Sequence, residues 1–319
     1  MVMTPRQPGA IAVLQIINAS SMVLRGMTGR DDWPVGRFRL VDLAGIDHGL
    51  VGRIAPDVVQ ILPHGGLRVV QKLLERLARN GAYPSDALDC MTPDASRRLY
   101  PEAGDDVEAL TLSAVGRAMS PLAVDLLADQ PRRWRAATNA EAWTEADDER
   151  SHRLNRLITP PLVVLVGVPN VGKSTLTNAL AGRSMSVAYD QAGTTRDYVA
   201  GRLDLGGLVV DWHDTPGLRS SDDPIEQQAR EIADRLMARA DLLIAMTDHE
   251  QPWPATPRTP DLRLAGKADL GTRKDADVEV CPMSGDQLRT LVSVLRERLV
   301  PSADLACGRR WRFSIHLPE

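Results

Sequence analysis

The chain has 319 residues, which is long enough for about two domains with buried cores. Its 43% hydrophobic and 25% charged residues are typical of a globular protein. The net charge of −4 argues against a protein whose whole surface wraps nucleic acid. Three widely separated cysteines argue against a disulfide framework or a zinc site and favour a reducing, cytoplasmic compartment. No apolar run reaches the roughly eighteen residues of a membrane span, so no membrane association is predicted.

Residues 1–104 are predicted to form an N-terminal α+β domain. Apolar patterning predicts strands at residues 11–17 and 57–62, and Leu67–Arg79 has the spacing of an amphipathic helix. A single arginine precedes the first apolar segment and Gln15 interrupts it. This segment is therefore predicted to be a strand and not a signal peptide.

Residues 105–159 are predicted to be a helical segment and linker. Residues 106–128 have a helical pattern with an expected break near Pro121, because proline lacks the backbone donor that a helix interior requires. Residues 132–155 are charged and rich in alanine, and they are also predicted to be helical. The pair Pro160-Pro161 marks a domain boundary.

Residues 160–300 alternate between strand and helix patterns. This alternation predicts an α/β fold with a mostly parallel, doubly wound sheet. Residues 301–319 are predicted to be a short tail without regular structure. The predicted strands of the α/β domain are residues 163–166, 199–205, 208–213, 242–246, 262–265 and 278–281.

The pattern G-x-x-x-x-G-K-S occupies residues 167–174, between an apolar strand and a helix. Its glycines let the backbone curl until successive N–H groups point at one anion, and the following helix turns its positive end to the same place. Lys173 can reach the outer phosphates of a nucleotide, and Ser174 offers an oxygen ligand to Mg²⁺. The predicted phosphate-contacting residues are Gly167, Asn170, Val171, Gly172, Lys173, Ser174 and Thr175.

Two further segments follow in the order expected of nucleotide switches. A hydroxyl of Thr194 or Thr195 can close over the γ-phosphate and its metal. Asp214 can hold Mg²⁺ through water, and the N–H of Gly217 can sense the γ-phosphate. Because strands of an open α/β sheet end at one crevice, these segments are predicted to meet the phosphate-binding loop.

A guanine-recognition loop is predicted after the strand at residues 262–265. Asp269 can accept the N1 and N2 protons of guanine, a donor pair that adenine lacks, and the stem of Lys267 can lie along the purine face. Residues 281–285 end the next strand, where a backbone loop can cap the base. The predicted ligand is therefore GTP or GDP, and an ATPase is disfavoured.

Together these motifs resemble the translation-factor-like GTPases and, more closely, the tRNA-modification GTPase family (MnmE, also called TrmE). The resemblance rests on residues 167–174, on Ala-Gly-Thr-Thr-Arg-Asp at 192–197 and on Asp-Thr-Pro-Gly-Leu-Arg at 214–219, followed by Glu226. It implies a Mg²⁺-dependent enzyme that hydrolyses GTP to GDP and phosphate. In that family K⁺ takes the place of an arginine finger.

The resemblance also implies roles for individual residues. Asn170 would bind K⁺, residues 189–195 would form the lid over the ion, and Glu226 would orient the attacking water. Lys173, Thr195 and Gly217 would complete the catalytic set. The alternatives are that Asn170 is an ordinary turn residue and that Glu226 only stabilises a helix N-terminus.

The resemblance extends to residues 9–16 and 57–66, in a domain that in this family dimerises and holds formyl-tetrahydrofolate. It implies a homodimer. Here Gln15 and Gln60 stand where the family has an arginine and a glutamate, which argues against a site for the polyanionic folate and leaves a dimer platform as the alternative. His64 is interpreted as a turn residue before a helix.

Two departures concern the guanine loop and the end of the chain. Gly266 stands where the family has asparagine, and the missing side-chain bond predicts nucleotide affinity weaker by about tenfold. The helical part is shorter than in the family, and Cys307 is followed by Gly-Arg-Arg rather than by the family's terminal sequence. Cys307 is therefore expected to be an inert thiol.

The family implies tRNA and a flavoprotein as partners in wobble-uridine modification. The alternative is a regulatory GTPase switch that has lost the one-carbon and tRNA chemistry. Two Arg-Arg-Trp-Arg tetrads, at residues 132–135 and 309–312, could stack on RNA bases or could simply pack. The acidic net charge favours packing, whereas a meeting of the two tetrads in space would strengthen the RNA interpretation.

Overall fold

The computed structural model describes residues 10–82, 92–100, 102–137, 142–182, 199–215 and 224–317, with only the backbone described at 199–200, 224–230 and 232. The chain divides into two compact units. Unit 1 takes the described residues of Met1–Arg117, Asp125–Asp148 and Arg309–Glu319, and unit 2 takes those of Ala118–Val124 and Glu149–Gly308. Among the described helices, none is both long and apolar enough to cross a lipid bilayer.

Unit 1 is built on a four-stranded antiparallel sheet in the order β1-β4-β3-β2. Its strands are β1 (Leu14–Ile17), β2 (Phe38–Asp42), β3 (His48–Ala55) and β4 (Val58–Leu62). The helices α1 (Ser21–Thr28) and α2 (Leu67–Arg79) contribute apolar side chains to the core of this unit. The buried residues of this core are Leu14, Ile16, Val23, Leu24, Met27, Trp33, Leu43, Val51, Val59, Ile61, Leu73 and Leu77.

Short helices follow the sheet of unit 1. They are α3 (Pro93–Leu99), α4 (Asp106–Val115), α5 (Leu122–Ala128), α6 (Gln130–Ala136) and α7 (Glu145–Asn155). The unit boundaries fall within α5 and α7. The break expected near Pro121 separates α4 from α5, whereas the single helix predicted over residues 132–155 is wrong, since α6 ends at Ala136 and residues 142–144 are not helical.

Unit 2 contains a six-stranded sheet in the order β10-β9-β8-β5-β7-β6. All neighbours are parallel except β6 and β7, which form an antiparallel hairpin closed by Gly206 and Gly207. Both glycines have positive φ, as a tight turn between two antiparallel strands requires. The elements are β5 (Leu162–Gly167), α8 (Lys173–Ala181), β6 (Val199–Asp204), β7 (Val209–Asp214), α9 (Pro224–Arg239), β8 (Leu242–Thr247), β9 (Leu262–Ala265), β10 (Val278–Glu279), α10 (Gly285–Leu299) and α11 (Ser302–Ala306).

The mostly parallel α/β fold predicted from the sequence is confirmed. The apolar run of β5 is buried on both faces, and every residue of β8 is buried. Because β5, β7, β8, β9 and β10 run in the same direction, their carboxyl ends lie at one edge of the sheet. The candidate phosphate and base loops both start from this edge.

The last part of the chain departs from the predicted tail. Residues 302–306 form α11 in unit 2, and the described residues from 309 onward belong to unit 1. Trp311 and Phe313 are fully buried and contact each other edge to face, with ring centroids 6.0 Å apart. This segment is therefore part of a packed core, and its prediction as unstructured was wrong.

Candidate functional site

The phosphate-binding loop joins the end of β5 to the start of α8. A Cβ atom at Gly167 would lie 2.4 Å from the carbonyl oxygen of Met246, so only glycine allows β5 and β8 to approach as they do here. Gly172 has a φ of +100° and Asn170 a φ of +64°. These left-handed residues turn the chain back on itself, as the G-x-x-x-x-G pattern predicted.

Lys173 reaches into this loop. Its Nζ donates hydrogen bonds to the carbonyl oxygens of Gly167 at 2.9 Å and of Val168 at 3.2 Å. Burial lowers the pKa of Lys173 below its ordinary value, and the nearby Asp214 carboxylate acts in the opposite direction. The ammonium group therefore lies inside the curl of the loop, where phosphate oxygens could replace the carbonyl oxygens.

Asp214 ends β7 beside the start of α8. Its Oδ2 accepts hydrogen bonds from the hydroxyls of Ser174 and Thr177, each at 3.4 Å, and Thr177 in turn accepts one from Trp212 at 3.2 Å. Burial raises the pKa of Asp214, while Lys173 and the two hydroxyls oppose that rise. The sequence reasoning missed Thr177. The only available signal was that Thr177 lies one helical turn after Ser174 on α8.

The second carboxylate oxygen of Asp214 supports a metal site. Oδ1 is buried, and within the described part of the chain it has no hydrogen-bond partner. A buried carboxylate oxygen without a partner, next to the Ser174 hydroxyl, is a donor set that suits Mg²⁺. Ser174 and Asp214 therefore fit the metal expected from the sequence.

The candidate guanine-recognition loop, residues 266–269, follows β9 and is called the base loop below. Lys267 has a φ of +54°, and its Nζ forms an ion pair with Asp248 Oδ2 at 2.9 Å. Asp269 is exposed. The backbone N–H of Gly266 donates to the carbonyl oxygen of Thr247 at 2.7 Å, which fixes the start of the loop to the end of β8.

Asp248 is a residue of this site that the sequence reasoning missed. It directly follows β8, much as Asp214 ends β7, so the available signal was an acidic residue at the end of a buried strand. Burial opposes ionisation of Asp248, but Lys267, Gln251 and the backbone N–H groups outweigh it and hold its pKa at about 2. Its carboxylate is therefore charged at neutral pH and is satisfied within the site.

Several predicted residues lie outside the described residues. Thr194, Thr195 and Gly217 belong to this group, as does the predicted lid at residues 189–195. Glu226 lies in the first turn of α9, where only the backbone is described. The structure thus brings together Lys173, Ser174 and Asp214.

Comparison with known proteins gives a family model described as 50S ribosome-binding GTPase, which matches residues 162–270. The tRNA modification GTPase MnmE of Thermus thermophilus is 29% identical over 352 residues, covering 93% of this chain and 81% of that protein. The MnmE of a Ruegeria species is 30% identical over 340 residues, covering 92% of this chain and 76% of that protein. The chain belongs to the MnmE family. The MnmE of Acidiphilium cryptum is 44% identical over 150 residues, which cover 46% of this chain and 34% of that protein.

Gly266 departs from the MnmE resemblance, and the structure shows what surrounds it. A Cβ atom at this position would lie 2.6 Å from Met246 Cε and 2.6 Å from the carbonyl oxygen of Val171. Met246 has a flexible side chain that can move, but the Val171 carbonyl is backbone of the phosphate-binding loop. The base loop therefore packs directly on the phosphate-binding loop without an intervening side chain.

This contact predicts that Gly266→Asn does not strengthen nucleotide binding. The new side chain is expected to displace the Val171 carbonyl, weaken GDP binding and lower the free energy of unfolding by about 1–3 kcal/mol. Titration with labelled GDP and chemical denaturation measure both effects. Gly308→Asn is the matched control, because no atom lies within 4 Å of a Cβ built there. Tighter GDP binding at unchanged stability would contradict the prediction.

Gln15 and Gln60 are paired in unit 1. They are directly opposite each other on β1 and β4, and Gln60 Nε2 donates to Gln15 Oε1 at 3.2 Å. Gln15 is only 2% exposed. Where the MnmE family has an arginine and a glutamate, this chain therefore has a neutral amide pair facing across the sheet, without the charge that would hold a polyanion.

His64 is bonded to Asp47 in the segment just before α2. Its backbone N–H and its ring Nδ1 both lie 2.8 Å from Asp47 oxygens. Burial opposes ionisation of Asp47, but the bonds from His64 outweigh it and lower its pKa. The ring itself is largely exposed, and the His64 backbone forms an isolated antiparallel bridge with Ile11 rather than the predicted turn.

The two Arg-Arg-Trp-Arg tetrads meet within unit 1. Trp134 Nε1 donates to the carbonyl oxygen of Trp311 at 3.3 Å, and the Arg310 guanidinium lies over the Trp134 ring at 5.0 Å and over Trp143 at 5.7 Å. The other arginines all form ion pairs: Arg132 and Arg133 with Asp129, Arg135 with Asp105 and Glu108, Arg309 with Asp147, and Arg312 with Asp148.

These contacts bear on the two interpretations of the tetrads. Their meeting was the condition that would favour RNA binding. However, both Trp134 and Trp311 are buried, and the neighbouring carboxylates neutralise most of the positive charge. The described contacts therefore favour packing within unit 1.

Proposed function

We propose that this protein hydrolyses GTP to GDP and phosphate as an enzyme of tRNA wobble-uridine modification. The observation that carries the proposal is the meeting of Lys173, Ser174 and Asp214 around one curled loop, in a chain that belongs to the MnmE family. The GTPase motifs continue in sequence order through Asp269, whose exposed carboxylate can accept the paired donors of guanine.

In the proposed reaction, water attacks the γ-phosphate in line with the leaving GDP. Lys173 would bind the β- and γ-phosphate oxygens and stabilise the charge that develops on them. Ser174 and Asp214 would hold Mg²⁺, with Thr195 completing the set. When bound, this ion neutralises phosphate charge. Gly217 would donate its N–H to the γ-phosphate.

Glu226 is the proposed residue that orients the attacking water. It lies in the first turn of α9, nine residues after Gly217 of the Asp-Thr-Pro-Gly segment, in the order that the family resemblance implies. A carboxylate there can accept a water proton directly or through a second water. Thr194 and Thr195 would change their contacts when the γ-phosphate leaves, which makes their segment the proposed switch.

We also propose that K⁺ stimulates hydrolysis through Asn170. Asn170 is exposed at the left-handed turn of the phosphate-binding loop, so its amide oxygen is open to an ion beside the phosphates. GTP turnover is expected to be about tenfold or more faster in KCl than in NaCl, because an ion of the right size replaces the charge of an arginine finger. Steady-state phosphate release at equal ionic strength measures this, and equal rates in both salts would remove the role of Asn170.

The proposed partners follow from the family. They are tRNA, a flavoprotein that acts with the GTPase in the cytoplasm, and a second copy of the chain in a homodimer. Formyl-tetrahydrofolate is not proposed as a strong ligand, because Gln15 and Gln60 supply no charge. A regulatory switch without tRNA chemistry is the less favoured alternative, since the family similarity extends along most of the chain.

A complementation experiment tests the proposed function. The gene is expressed in a strain lacking its own wobble-uridine modification GTPase, and modified nucleosides are measured by mass spectrometry. Restored modification by the wild type, and none by Lys173→Ala, is expected. If modification stays absent while the purified protein turns over GTP, the tRNA role is wrong and the switch alternative gains. If the purified protein neither binds nor hydrolyses GTP, the GTPase proposal itself fails.

A further inference from the structure

The loops that follow β8 and β9 are tied to each other. Arg273 donates from its guanidinium to the carbonyl oxygens of Asp248 and Gln251, and it lies over the Trp253 ring at 4.8 Å. Lys267 crosses between the same two loops to reach Asp248. The base loop therefore takes part of its position from residues 248–253 rather than from its own sequence.

The two oxygens of Asp248 have separate tasks. Oδ1 accepts the backbone N–H groups of Glu250 at 3.2 Å and Gln251 at 3.0 Å, which shapes the turn after β8. Oδ2 accepts Lys267 Nζ at 2.9 Å and Gln251 Nε2 at 3.2 Å. The Asp248 side chain is only 3% exposed, whereas that of Lys267 is 35% exposed. The buried Asp248 carboxylate thus anchors the Lys267 ammonium, while part of the lysine stem stays accessible to a ligand.

The backbone at this position explains why an anchor is needed. Lys267 adopts a left-handed φ of +54°, which residues with a side chain rarely adopt. Gly266, the preceding residue, has no side chain with which to bond the phosphate-binding loop. Among the described side chains of residues 266–269, Lys267 has the charge-assisted bond that links this loop to a neighbouring strand end.

We propose that Asp248 is a positioning residue for guanine recognition, which through its ion pair with Lys267 holds the loop that carries Asp269. The inference rests on the proposed binding of GTP and deepens it. Asp248 does not touch the base. It fixes Lys267 so that the lysine stem can cover one face of the purine. It also holds the loop so that the Asp269 carboxylate lies within hydrogen-bond distance of the guanine N1 and N2 protons.

Asp248→Asn separates the two tasks of this residue. Its amide oxygen can still accept the N–H groups of Glu250 and Gln251, while its NH₂ group opposes the Lys267 ammonium and no longer accepts the Gln251 side-chain amide unless that amide rotates. The dissociation constants for GTP and GDP are expected to rise about tenfold, with KM rising and kcat nearly unchanged. The affinity for inorganic tripolyphosphate, which has no base, is expected to stay the same. A general loss of fold would instead weaken the binding of the nucleotides and of tripolyphosphate alike.

Lys267→Met removes the same ion pair from its other partner, because it keeps an apolar stem and removes only the ammonium. It is expected to reproduce the base-specific loss, and the double variant is expected to lose no more than either single one. This variant decides the matter if Asp248→Asn does not fold. Glu231→Gln is the matched control, since it also removes one negative charge, and the exposed Glu231 pairs with Arg235 within α9, away from both loops.

The outcomes distinguish this inference from the function on which it rests. If the wild-type protein binds neither GTP nor GDP, the proposed function fails. If it binds them and both Asp248→Asn and Lys267→Met bind them equally well, the positioning role of Asp248 is overturned. Additive losses in the double variant, or an equal loss in Glu231→Gln, would also overturn it, because the effect would not pass through the ion pair.

Discussion

Lys173→Ala is expected to raise the dissociation constants for GTP and GDP by about a hundredfold or more, because bonds between an ammonium and phosphate oxygens are charge-assisted. Turnover should become undetectable, since the same group stabilises charge in the transition state. The structure supports this size of effect because Lys173 is buried at the centre of the loop and bonds Gly167 and Val168. Equilibrium titration with labelled GTP and GDP measures it.

The matched control for this prediction is Lys274→Ala. Lys274 is exposed, so its loss changes the net charge by the same amount without touching the loop. Thermal unfolding of both variants shows whether the fold survives. Retention of GTP by Lys173→Ala with wild-type affinity would contradict the assignment of residues 167–174 as the phosphate-binding loop.

Asp269→Asn is expected to change which purine is bound. The carboxylate of Asp269 can accept both the N1 and N2 protons of guanine, whereas an asparagine amide presents a donor in place of one acceptor. GTP affinity should fall by about a hundredfold or more, because a site built for a hydrogen bond strongly rejects a mismatched partner. Xanthosine triphosphate has a carbonyl oxygen at C2, so the variant should prefer it.

Competition between the two triphosphates for each protein measures this change. The wild type should prefer GTP and the variant should prefer xanthosine triphosphate, with thermal unfolding little changed because Asp269 is exposed. Asp277→Asn, at a nearby exposed carboxylate, serves as the control. An unchanged preference for GTP would show that another group selects the base.

The features that could be predicted from the sequence depend on local order along the chain. The apolar run of β5, the glycines and Lys173 lie within one short segment, so their geometry follows from neighbouring residues. The bounds of α2 were also predicted, because its apolar residues recur at helical spacing. Two of them, Leu73 and Leu77, are buried in the structure. The shared edge of the sheet followed from the alternation of strands and helices.

The elements that were missed have weaker patterns or depend on distant contacts. Strand β2 is an edge strand whose residues are exposed or only partly buried. Its apolar Phe38 and Leu40 share the exposed face, so its sequence lacks the apolar-inside, polar-outside alternation that predicts a strand. Helix α1 is short, although Ser20 caps its start and Gly29 ends it. Its apolar residues become informative only once the core of unit 1 is known.

The contacts that hold the base loop could not be predicted from the residues next to it in sequence. Asp248 and Lys267 are 19 positions apart, and nothing in either segment alone indicates that they bond. The approach of Gly266 to the Val171 carbonyl likewise depends on how β8 and β9 pack beside β5. The absence of an asparagine was visible in the sequence, but the lack of space for one was not.

The division of unit 1 among separate stretches of chain has a consequence for biosynthesis. Trp134 contacts Trp311, and Gln130 accepts the backbone N–H of Trp311 at 2.7 Å, so the helical part of unit 1 needs residues made after all of unit 2. On the ribosome, this unit starts first and is completed last. During translation, Trp134 must wait for its bond to Trp311 while unit 2 emerges and folds.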